Sequence, residues 1–80
     1  MFDVNTIYSD LSGKRFLCNC PFRSNKEAEY ALAKFLMGVR EYFFFADLYV
    51  KENVLVLDTP DRNKTVELAL LLNNSINNMH

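Results

Sequence analysis

Cys18 and Cys20, separated only by Asn19, are the residues of this chain best suited by type to do chemistry. Two thiolates could serve a soft metal, or one sulfur could act as a nucleophile. A structural metal wants four ligands, and the only histidine is His80, so a single chain lacks the set. A four-thiolate site would have to be shared between two chains. The spacing has a simpler consequence: on a strand, residues two apart point to the same side, without easy disulfide geometry between such neighbours. There the thiols behave as small buried apolar side chains, and no metal or cofactor is predicted. Reduced thiols also suit the cytoplasm.

Acid–base chemistry has less to work with. Glu27 and Glu29 fall on one predicted helix, and Asp58 and Asp61 bracket the start of another. Each has a local role as a cap, a partner to the helix dipole or a solvated side chain, and none stands beside a nucleophile. With only Gly13 and Gly38 in the chain, no glycine-rich phosphate loop or nucleophile elbow can be built. The inventory reads as a non-enzyme; a small thiol-dependent enzyme or carrier relying on Cys18 or Cys20 is the third alternative.

Basic residues recur at matched positions. Pro21-Phe22-Arg23-Ser24-Asn25-Lys26-Glu27 and Pro60-Asp61-Arg62-Asn63-Lys64 share the frame P-x-R followed by N-K, once Ser24 is skipped. Each copy precedes a predicted helix start, where unpaired N–H groups and the positive end of the dipole favour anions. Arg23, Lys26, Arg62 and Lys64 could therefore form two anion sites, and binding of nucleic acid or a phosphate ligand is the second functional alternative. Against it, the net charge is −1 and the pI about 5.7, which supplies no global attraction to nucleic acid or anionic lipid. Basic side chains at these positions also serve to keep a hydrophobic chain soluble.

Those residues must be positioned by strands and helices, and the patterning predicts both. Phe2 to Tyr8 alternates weakly, Asp10-Leu11-Ser12-Gly13-Lys14 has turn chemistry, and Arg15 to Cys20 alternates again, giving a first hairpin. Ser24 and Glu27 form a capping box, followed by Ala28, Ala31, Leu32, Phe35, Leu36 and Val39 on one helical face, with Gly38 marking the last turn. Period two returns from Tyr42 to Lys51 and from Val54 to Asp58, around a tight turn at Glu52-Asn53. Thr59 then reads as the cap of a second helix with Pro60 in its first turn, fraying over Asn73 to Asn78.

The expected fold is α+β: tandem strand–strand–helix units in ββαββα order, with a mainly antiparallel sheet and both helices packed on it. Eighty residues allow a single domain, 1–80, with pseudo-repeat units 1–39 and 40–80. Hydrophobic residues make up 50% of the chain, more apolar material than one core of this size absorbs. No apolar run approaches a membrane span, and an acidic residue at Asp3 is unlike a secretory leader, so a cytoplasmic location is expected.

Alternation in the second hairpin assigns the surplus. Phe44, Ala46, Leu48, Val50, Leu55 and Leu57 take the core side, and Phe43, Phe45, Tyr49, Val54 and Val56 take the other. A second apolar face must be covered by another element or another chain. The leading expectation is a small protein-binding module, an inhibitor, adaptor or regulatory subunit, forming a homodimer and contacting its partner through those five residues. The short asparagine-rich chain fits an accessory protein of viral origin.

Overall fold

A computed structural model describes residues 1–39 and 45–77. In chain order the elements are β1 (Tyr8–Ser9), β2 (Phe16–Pro21), α1 (Asn25–Val39), β3 (Asp47–Lys51), β4 (Val54–Thr59) and α2 (Arg62–Asn77), after a 3-10 turn at Val4–Thr6. The strands form one antiparallel sheet in the order β1-β2-β4-β3, so the fold is the expected α+β arrangement of ββαββα order. Each hairpin contributes one inner strand and one edge strand. The shift that lays Pro21 on Pro60 also lays Cys18 on Leu57, and these two residues pair directly in the β2–β4 ladder. A two-fold axis normal to the sheet at that pair would exchange the two inner strands.

Both helices start where local chemistry dictates. The Glu27 N–H donates to Ser24 Oγ at 3.2 Å, while the Glu27 carboxylate accepts the Arg23 N–H at 3.3 Å, so the box closes one residue further out than its standard form. Ala28, Ala31 and Phe35 are buried along the inner side of α1, and Leu36 lies on its rim. At α2 the cap is Asp61, whose Oδ1 accepts the Asn63 N–H at 2.8 Å. Thr59 is instead the last residue of β4. Its hydroxyl lies 2.9 Å from the Thr65 hydroxyl and 2.6 Å from the Asp61 carbonyl, satisfying two fully buried threonines at the strand-to-helix corner.

The core lies between one sheet face and the two helices. Cys18, Cys20, Leu55 and Leu57 rise from β2 and β4 to meet Ala31, Phe35, Leu68, Ala69 and Leu72, with Phe2 at the border. The period-two and period-3.6 patterns thus converge on one cluster.

Three further local expectations are corrected. The segment before β1 makes a 3-10 turn rather than a strand, because Asp3 caps it: its Oδ1 accepts the Asn5 N–H at 2.9 Å and its carbonyl the Thr6 N–H at 3.1 Å. The end of α2 does not fray at Asn73; the helix runs to Asn77, with Ile76 packed on the core. In the second hairpin, among the described residues, strand pairing begins at Asp47 and omits Phe45 and Ala46, while Tyr42 lies outside those residues. Continuing the same register would set Phe45 opposite Pro60, which has no N–H to offer the ladder. Phe45 therefore leaves the sheet and packs against the core cluster, with the Lys64 ammonium 5.8 Å from its ring centroid. Phe43 and Phe44 lie outside the described residues.

Candidate functional site

The sheet face turned away from the helices carries the candidate site. Register places its side chains in rows: Tyr8, Leu17, Asp58 and Asp47; then Asn19, Val56 and Tyr49; then Pro21, Val54 and Lys51. Val56 is the floor, 5% exposed, and the two tyrosines stand over it, Tyr8 at 45% and Tyr49 at 39%. Tyr8 pairs with Leu17 and Tyr49 with Val56. The shift that exchanges the inner strands carries Leu17 onto Val56, so the tyrosines are counterparts flanking one apolar centre.

Polar groups frame that centre. The Tyr8 hydroxyl is 3.2 Å from Asn19 Oδ1. Asp47 and Asp58 face each other across β3 and β4, and Arg15 answers both, with Nε donating to Asp58 Oδ1 at 2.7 Å and a terminal nitrogen to Asp47 Oδ2 at 3.3 Å. Desolvation and, after it, the nearby Asp58 carboxylate push the Tyr49 phenol above its ordinary pKa. Between Tyr8, Asn19, Val54, Val56, Lys51 and Glu52 the face dips into an open groove of about 360 Å³. The groove thus has an apolar floor of Val54 and Val56, Tyr8 on one side and Asn19, Lys51 and Glu52 as its polar groups.

Of the five residues assigned to this surface by alternation, Tyr49, Val54 and Val56 lie on it. Phe45 lies against the core instead, and Phe43 is outside the described residues. Tyr8 and Leu17 join the surface without having been assigned to it. The signal for Leu17 is present in the sequence, since it alternates with Cys18; Tyr8 reaches the face only through pairing with Leu17, which a two-residue strand does not announce.

The basic residues stay in two groups, one at the start of each helix, as two separate sites require. Because β2 and β4 are antiparallel, α1 begins beside Val54 at one end of the sheet and α2 beside Phe16 at the other. Arg23 and Lys26 are exposed at the first end, Arg62 and Lys64 at the second, with Lys64 ion-paired to Glu67 at 3.3 Å. The thiols are fully buried on the core side. Burial, with the Asp3 charge adding to it, pushes Cys18 up to about 11, and burial also raises Cys20, so neither is a thiolate near neutrality. Among the described residues no cluster of three or more His, Cys, Asp or Glu side chains could hold a metal ion, and no helix is long and apolar enough to cross a membrane.

No family model, curated protein or solved structure matches the chain.

Proposed function

We propose that this chain is a non-enzymatic protein-binding module, an inhibitor, adaptor or regulatory subunit, that takes its partner on the sheet face turned away from both helices. The observation that carries this reading is the pair Tyr8 and Tyr49, exposed over the buried Val56 on a face that neither helix covers. Tyrosine gives large contact area at low conformational cost and a hydroxyl for the rim, the profile of residues that dominate binding energy. The acidic pair with Arg15 at one end and Lys51 at the other supply orientation. Thiols held neutral in the core favour this reading over thiol chemistry, and basic pairs set at opposite ends of the sheet favour it over one continuous nucleic-acid surface. Free thiols also suit a cytoplasmic setting.

The test compares three folded variants for retention of whatever protein the wild type captures from its native host. Val54→Glu and Tyr8→Lys place a charge in the groove and should lose that partner, while Tyr30→Glu, on the exposed side of α1, should keep it. Retention by both groove variants, with loss by Tyr30→Glu, would move the contact surface to the helices.

A further inference from the structure

We infer that β3 is the seam of a homodimer, pairing antiparallel with the β3 of a second copy across a two-fold axis at Tyr49. This goes beyond the proposed partner face and stands on other observations: the edge of the sheet and the order of residues along it.

Among the described residues β3 is an edge strand, paired with β4 and with no strand on its other side. The two-residue loop at Glu52-Asn53 makes Lys51 and Val54 the first hydrogen-bonded pair, and such pairs alternate along the ladder. Asp47, Tyr49 and Lys51 therefore turn their backbone groups toward β4, whereas Leu48 and Val50 turn theirs outward. Among the described residues nothing answers those outward groups. A row of open donors and acceptors on an edge is a template for a further strand.

The sequence of this edge names its occupant. Asp47-Leu48-Tyr49-Val50-Lys51 is self-complementary when read against itself in the opposite direction. Centred on Tyr49, Asp47 stands opposite Lys51 of the second copy and Lys51 opposite its Asp47, while Leu48 meets Val50 and Tyr49 meets Tyr49. Leu48 and Val50, whose backbone groups point outward, become the hydrogen-bonded pairs, and Tyr49 occupies the non-hydrogen-bonded position where side chains approach most closely. Opposite charges fall on opposing positions at both ends, and aromatic meets aromatic between them. Parallel pairing would set like charge beside like charge, and a centre at Leu48 or Val50 would leave charged residues unmatched. The edge also has apolar surface to cover: Leu48 and Val50 are only half-buried although they point to the core side, in contrast to their fully buried neighbours Leu57 and Leu55 on β4. The second edge, Tyr8–Ser9, is too short to compete.

The dimer would double the sheet and place two copies of the Tyr8–Val56–Tyr49 surface side by side. The test uses sedimentation equilibrium on the whole chain and a charge exchange. Wild type should dimerise. Lys51→Glu and Asp47→Lys each set two like-charge pairs in the seam and should each weaken dimerisation by roughly tenfold or more while remaining folded. An equimolar mixture of the two variants should recover a dimer, because the Asp47 kept by one variant then faces the Lys51 kept by the other, and the two introduced side chains, again of opposite charge, face each other. Hydrogen exchange on the wild type supplies the second readout, independent of how any variant folds: the Leu48 and Val50 amides should be protected in the dimer and exposed on dilution to monomer. A monomeric wild type, a mixture that fails to recover, or a dimer whose Leu48 and Val50 amides exchange at the monomer rate would each overturn the seam. The last outcome would place self-association on the sheet face.

Discussion

Asn73 holds Phe2 by both of its backbone groups. Its Oδ1 accepts the Phe2 N–H at 2.8 Å and its Nδ2 donates to the Phe2 carbonyl at 2.9 Å, so a side chain on α2 does for the N-terminal segment what a neighbouring strand would do. Phe2, only 3% exposed, is thereby fastened over the core. Asn73→Ala leaves two partly buried backbone groups without partners and should cost about 2 kcal/mol. The Phe2 amide should lose its protection in hydrogen exchange before the rest of the protein unfolds. An unchanged denaturation midpoint would show that the first residues add nothing to the core.

Arg15 offsets a repulsion that the β3–β4 register creates, because Asp47 and Asp58 are directly opposed. Its contact with Asp58 is the sheltered one, the Asp58 side chain being 17% exposed against 73% for Asp47. Arg15→Ala should therefore destabilise by about 1–2 kcal/mol, mostly through Asp58. Adding Asp58→Asn to that variant should restore part of the loss. Additivity of the two substitutions in a double-mutant cycle would show that the charges do not interact.

The core thiols set an alkaline limit. Cys18 rises from an ordinary value of 9.0 to about 11 because the core disfavours its thiolate, and its Sγ–H points to the Asp3 carbonyl at 3.4 Å. Between those two pH values the unfolded chain binds fewer protons than the folded one, so stability falls as pH rises through that window and is fully present below it. Cys20 shifts in the same direction and adds to the fall. Thermal melts from pH 8 upward should show the decline, and Cys18→Ala should flatten it. Alkylation of the native protein at pH 8 should be slow and limited by unfolding.

The turn between β3 and β4 carries removable strain. Glu52 has φ +60°, a conformation that glycine adopts at little cost and a residue with a Cβ does not. Asn53, its neighbour, is needed as it stands: its carbonyl accepts the Phe22 N–H at 2.9 Å and its Nδ2 donates to the Phe22 carbonyl at 2.6 Å, tying the turn to the start of α1. Glu52→Gly should therefore stabilise the protein by up to about 1 kcal/mol, the relief exceeding the added freedom of the unfolded chain. Asn53→Ala should do the reverse. A lower melting temperature for Glu52→Gly would show the turn to be unstrained.

Much of the fold was local enough to be legible. Ser24 and Glu27 cap α1 with groups three residues apart, and the spacing of Ala28, Ala31 and Phe35 aims one side of that helix inward. The alternation through Cys18, Cys20, Leu55 and Leu57 likewise marks the core side of two strands without reference to anything outside them. These patterns are legible because each is enforced by backbone geometry over a few residues. What the chain could not reveal depends on which segments lie side by side. Phe45 breaks the alternation because Pro60 stands where its strand partner would be, and Asn73 ends up structural because Phe2 arrives beside it. The arginine and lysine pairs look equivalent in sequence, yet antiparallel pairing of β2 with β4 sends them to opposite ends of the sheet. Tyr8 joins Tyr49 around Val56 by the same pairing. Register between distant strands is chosen by the summed burial and hydrogen bonding of the whole sheet, and only the tertiary structure carries that sum.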